Sequence, residues 1–208
     1  MKKPIVAISL LMSVVLASCH QSQQPVSWLN PSDQELLKAA SAGFQGKEPE
    51  PLRLKSYDAS QRCLGGVRSV DLYTPLWRAQ ADGYYAMKHF DKAPTLADVA
   101  GERYSASIAI DYEADSPNDE AIVVVSSGEG AIYKPATTSA LNPDTTSCGE
   151  TSPYAAWSLG VDASFKGPNA LPATGKGTLI VRRRARQDES IDVDFDSIPA
   201  SSSPAQPE

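Results

Sequence analysis

Few side chains in this sequence are placed to do chemistry. His89 is one of two histidines and stands among aromatics in Tyr84-Tyr85-Ala86-Met87-Lys88-His89-Phe90. A general base or metal ligand needs an orienting partner, and no companion motif supplies one. His89 therefore reads as a structural or surface residue on a strand. Ser126-Ser127-Gly128-Glu129-Gly130 is glycine-rich, but it lacks the Gly-Lys-Ser/Thr ending and the following helix of a phosphate loop. It reads as a turn. Asp192, Asp194 and Asp196 are spaced by two, which on a strand gives them one face and the makings of a calcium site. The preceding run holds Arg182, Arg183, Arg184 and Arg186. Arg and Asp facing each other across a hairpin contribute roughly 0.2–1 kcal/mol per pair, which explains both runs without a metal. Gly-x-Ser-x-Gly and His-Glu-x-x-His are both absent. A pair of acids for glycoside hydrolysis is defined by spatial separation and is invisible at this level. No catalytic, cofactor-binding or metal-ligating residue is assigned, no cofactor is implied, and an enzyme is not the expected class.

The elements that would position these residues are mostly strands. Asn30-Pro31-Ser32-Asp33 opens a helix, with Asn30 as cap and Pro31 in the first turn. Leu36, Leu37 and Ala40 form its apolar face and Gly43 its stop. Pro49 and Pro51 mark a linker. Beyond it a two-residue period dominates. Leu52 to Tyr57 alternates, and Val70, Leu72 and the region Tyr84 to Phe90 are shorter strand candidates. Thr95 and Asp98 have capping-box spacing for one helical turn. Tyr104 to Tyr112 and Trp157 to Phe165 alternate clearly. Ser116-Pro117-Asn118-Asp119 turns the chain into Ala121 to Val125, apolar throughout as in a strand buried on both faces. Thr178 to Arg186 and Ser190 to Asp196 flank Gln187-Asp188-Glu189 as a hairpin. The expected fold is mainly β: an antiparallel sandwich or small barrel with a short N-terminal helix.

The start of the chain has a different character. Lys2 and Lys3 precede an apolar run from Ile5 to Leu16, about a dozen residues and below the ~20 that cross a bilayer. The run ends in Leu16-Ala17-Ser18-Cys19, which resembles the lipobox of bacterial lipoproteins. The resemblance covers this leader alone. It implies that residues 1–18 are a signal peptide removed before Cys19, whose sulfur and new amine receive lipid. Several acyl chains would hold the protein at the membrane permanently, where one holds it only with K on the order of 10⁴ M⁻¹. In that family an Asp after the cysteine favours the inner membrane. His20 stands there, so the resemblance points to the outer membrane with the domain facing the periplasm. Residues 19–29 then form a lipidated tether, 30–196 a single domain, and 197–208 a disordered Ser/Pro/Ala tail.

The formal charge is −6. Losing Lys2 and Lys3 with the leader leaves eight more acids than bases, which argues against nucleic acid as a partner. With Cys19 taken by lipid, Cys63 and Cys148 remain in an oxidising compartment, and a disulfide between them is the simplest arrangement. It would close a loop of 85 residues, worth roughly 4.5 kcal/mol in the chain-entropy treatment. The expected function is to bind a protein partner, as an immunity protein or inhibitor of a toxin or cell-wall hydrolase. A structural or assembly subunit of an envelope secretion machine is the alternative, and an envelope hydrolase the second. Non-reducing mass spectrometry of the mature protein should find one linked peptide pair containing Cys63 and Cys148. Alkylation of both thiols without prior reduction would exclude the bond.

Overall fold

Alternating apolar residues build two antiparallel sheets packed face to face. The computed structural model describes residues 26–56, 65–147, 155–183 and 186–200. Cys19, Cys63, Cys148 and Arg184 lie outside the described residues, as do positions 201–208. The first sheet contains β1 (Leu52–Lys55), β2 (Val67–Tyr73), β3 (Ser105–Ala114), β6 (Thr137–Ser147) and β7 (Ala155–Lys166), ordered β1-β2-β3-β7-β6. The second contains β4 (Ala121–Ser127), β5 (Ile132–Tyr133), β8 (Lys176–Arg183) and β9 (Glu189–Asp194), ordered β5-β4-β8-β9. Neither sheet closes on itself or on the other, so the arrangement is an open two-sheet one and not a closed barrel.

The chain crosses from one sheet to the other at Ser116–Asp119, the expected turn, where the Asp119 N–H donates to the Ser116 carbonyl at 3.2 Å. The inner faces follow the two-residue period. Ala106, Ile108, Ile110 and Tyr112 of β3 and Val161, Ala163 and Phe165 of β7 meet Val123 and Val125 of β4 and Leu179 and Val181 of β8. All are buried. The core also reaches past the 30–196 limits read from sequence. Trp28 and Leu29, expected in the tether, and Ile198, expected in the tail, are buried members of it. The Trp28 ring stacks on Phe195 at 6.1 Å. The Leu29 carbonyl accepts the Tyr104 N–H at 2.8 Å, so the chain enters beside the start of β3.

Three helices form a second, smaller core with Leu36, Ala39, Ala40, Leu76, Ala79 and Val99. Helix α1 (Asp33–Phe44) is capped by Ser32 and not by Asn30. The Ser32 hydroxyl accepts from Glu35 N–H, and the Glu35 carboxylate accepts from Ser32 N–H. Helix α2 (Pro75–Lys88) replaces the strand expected at Tyr84–Phe90. Its signals are local: Thr74 caps Trp77 N–H, Pro75 occupies the first turn, and Leu76, Ala79 and Gly83 recur at helical spacing. The short α3 (Leu96–Val99) has the expected Thr95–Asp98 capping box.

Gly43 lies inside α1, one residue before its end, and serves packing where a stop was expected. A Cβ there would sit 1.9 Å from the Gln80 carbonyl oxygen of α2, and one on Gly83 would sit 1.9 Å from the Ala40 carbonyl oxygen of α1. Each helix therefore reads its partner's backbone through a missing side chain. Gly43→Ala should force the helices apart and cost about 1–3 kcal/mol, as overpacking does. Thermal unfolding should show a melting temperature lower by several degrees, at about 2–4 °C per kcal/mol for a domain of this size. Gly101→Ala, with nothing within 4 Å of the added carbon, should leave it unchanged.

Candidate functional site

The charged residues singled out in the sequence do not meet as expected. The β8–β9 register sets Thr178 opposite Asp192 and Lys176 opposite Asp194, so among the described residues no arginine is paired with them. The cause is the connection: β8 ends at Arg183 and β9 starts at Glu189, a longer link than the expected Gln187–Glu189. Asp192 accepts from the Thr178 hydroxyl at 3.3 Å. Asp194 accepts from Asp196 N–H at 3.1 Å, and Asp196, in a one-turn 3-10 segment past the strand, accepts from Gly175 N–H at 2.9 Å. These acids tie down a strand end. Among the described residues no group of three or more potential ligands is arranged to hold a metal. His89 is the exposed cap residue at the end of α2, not a strand residue. The turn expected at Ser126–Gly130 is shorter: Ser126 and Ser127 end β4, and Gly128–Gly130, with Gly130 at φ +87°, link it to β5.

The arginines go elsewhere. Arg182 pairs with Asp188 at 2.9 Å on the surface, and Arg186 reaches Asp115 at 2.7 Å beyond the end of β3. Arg183 is 4% exposed. Its guanidinium donates to the carbonyl oxygens of Gly65 and Glu113 and, at 2.6 Å, to the Glu189 carboxylate. It also lies 5.9 Å from the centre of the Tyr112 ring. Glu189 accepts Val67 N–H at 2.9 Å and Lys55 Nζ at 3.4 Å. Glu113 is wholly buried; it accepts Gly65 N–H at 3.2 Å, with Arg68 Nε 4.0 Å away. This buried network joins the two sheets at the end opposite the entering chain. Sequence reading missed Glu113 and Glu189 as its anions. The available signal was the period: Leu179, Val181 and Arg183 share one face, and two of the three are core.

The surface best shaped to receive something lies at the side of β4. A groove of about 530 Å³ is lined by Tyr112, Glu120, Ile122, Lys134, Thr138 and Val161 among others. The apolar run Ala121–Val125 is not buried on both faces as expected. Val123 and Val125 are fully buried, whereas Ile122 is 60% exposed. Ile132 of β5 is 55% exposed. Among the described residues, no layer covers the outer face of the second sheet, which is why Ile122 stays in water and Val124 is only partly buried. β4 pairs with β8 along its whole length but with β5 only at Val125↔Tyr133 and Ser126↔Ile132. Extending that register by two residues would set Pro135 opposite Val123. Proline has no N–H to give, so the ladder stops there. At the groove's end the Tyr112 hydroxyl donates to the Asp119 carbonyl at 3.0 Å. Burial, with Asp119 nearby, raises its pKa and keeps the phenol protonated.

Compared with known proteins, the chain matches no family model, no curated protein and no solved structure. The buried network is its most testable structural element. Arg183→Ala takes the shortest contact from Glu189, which keeps Val67 N–H and Lys55, and leaves the Gly65 and Glu113 carbonyls without that donor. Losing hydrogen bonds made by a charged group costs about 1.5–3 kcal/mol, so chemical denaturation should show a loss of stability of that size. Arg182→Ala, which breaks only a surface pair, should change stability little.

Proposed function

We propose that this chain is an outer-membrane lipoprotein anchored through Cys19, whose periplasmic domain binds a protein partner at the β4–β5 face. The single observation that carries the reading is Ile122, a large aliphatic side chain 60% exposed in the lining of an apolar-floored groove, with Ile132 also exposed on the neighbouring strand. Exposed aliphatics beside a groove mark interaction surfaces when polar groups rim them. Lys134 on one side and Asp119 and Glu120 on the other supply that rim. An inhibitor or immunity protein for a toxin or cell-wall hydrolase fits the arrangement: such a protein needs a rigid scaffold and a docking face, and a net acidic surface suits a basic target. A second reading, an assembly subunit of an envelope secretion machine, draws on the incompletely paired edge of β4, since sheet edges accept strands from partners.

The test uses the full chain expressed in the envelope. Wild type should fractionate with membranes and incorporate labelled fatty acid, and Cys19→Ser should do neither. Capture of a specific envelope protein by wild type should fall at least tenfold with Ile122→Asp, while the melting temperature stays unchanged. A captured toxin or hydrolase would support the inhibitor reading, and secretion subunits the assembly reading. Equal capture by wild type and Ile122→Asp would refute this face as the docking site.

A further inference from the structure

The edge of β4 is hydrogen-bonding capacity with a direction and an address. The Ser127 N–H points to Ala131 in the β5 connection, and the next N–H, of Gly128, points to Lys176 of β8, both at 2.8 Å. Backbone groups alternate sides along a strand, so the odd-numbered positions Ala121, Val123 and Val125 turn their peptide groups away from β8. Val125 is matched by Tyr133, and the Tyr112 hydroxyl lies at the Ala121 end, donating to the Asp119 carbonyl. The N–H and C=O of Val123 and the C=O of Ala121 face the groove, and no described residue pairs with them. Pro135 keeps the chain's own β5 from filling this position.

Resting on the protein-binding reading above, we propose that the partner engages this face by adding one extended segment as a strand along β4, antiparallel to it and in line with β5. Strand addition joins obligatory backbone donors and acceptors at an open edge, and alternate side chains then set specificity. The stretch from Ala121 to Val124 spans about 13 Å at ~3.3 Å per residue, room for about four residues. Every second side chain of the segment enters the groove towards Val161, and the others pass beside Ile122. Polarity follows from charge. A strand in line with β5 begins near Lys134 and ends near Asp119 and Glu120, and none of these three has an ion pair among the described residues. The segment is therefore an alternating apolar one with an acid at its N-terminal end and a base at its C-terminal end. The chain's own last residues, Ser201 to Glu208, carry two prolines and no apolar alternation, and do not fit this description.

The probe is the peptide acetyl-Glu-Val-Thr-Val-Thr-Val-Lys-amide, added to the full-length lipoprotein in detergent. Binding should slow amide hydrogen exchange across 121–125. N-methylation of the peptide at alternate residues should weaken it at least tenfold, since only backbone donors are removed. A peptide with the terminal Glu and Lys exchanged should bind several-fold more weakly, and Lys134→Glu should shrink that difference by weakening the original peptide, since Asp119 and Glu120 still favour its C-terminal Lys. Strand addition is overturned if exchange across 121–125 is unchanged, if N-methylation has no effect, or if a second copy of the chain occupies the edge and doubles the particle mass. Partner capture that depends on Ile122 without protection of 121–125 would overturn strand addition alone. Capture indifferent to Ile122→Asp, with the peptide still protecting 121–125, would instead sink the broader reading.

Discussion

A guanidinium set between two apolar sheets must find its hydrogen bonds where it lies, because its charge is costly to bury unpaired. Arg183 is placed there by the same two-residue period that buries Leu179 and Val181. Its partners come from three separate stretches: Gly65 before β2, Glu113 near the end of β3, and Glu189 at the start of β9. Holding Glu189 fixes where β9 begins, and so the register that places Thr178 opposite Asp192. Glu189 in turn gathers Val67 and Lys55 of the other sheet. One buried cation thus coordinates the closure of this end of the sandwich, which apolar packing, being non-directional, does not specify.

The opposite end is closed by different means. Trp28 stacks on Phe195, and Leu29 pairs with Tyr104, so the entering chain is part of the core. The helix pair is bound by backbone contact through Gly43 and Gly83, with Arg78 of α2 donating to the Ser107 hydroxyl of β3 at 2.9 Å. With both ends occupied, the side of the sandwich at β4 and β5 is left as the open face. The proposed partner would sit on that side, away from the entering chain, with one end of the groove at Tyr112 adjoining the charged closure.

β4 shows how a single proline shapes a surface. The β5 register would continue past Tyr133 but for Pro135, and the chain leaves to become β6 in the other sheet. Proline often protects an edge from unwanted pairing. Here it sits on the strand that would have covered the edge, and so it leaves Val123 open while closing its own side to further pairing.

Much of this protein is set by local pattern. The antiparallel β class, the β3 and β7 strands, the Ser116–Asp119 turn, the Gly128–Gly130 turn and the Thr95 capping box are legible because period and turn chemistry act over a few residues. The lipobox resemblance rests on equally local residues. Helix α2 was local too, but its aromatics Tyr84 and Tyr85, with Phe90 just past its end, favour a strand by composition and hid the Thr74–Pro75 start. Three features were decided only by tertiary structure. The pairing of the arginines depended on a hairpin register that the loop from Arg183 to Glu189 sets, and a shift of one or two residues changes every partner. The roles of Gly43 and Gly83 required knowing that another helix crosses there. The exposure of Ile122 required knowing that no described layer covers the second sheet. An apolar run states that a side chain favours burial; whether anything arrives to bury it is a property of the assembled fold and its partners.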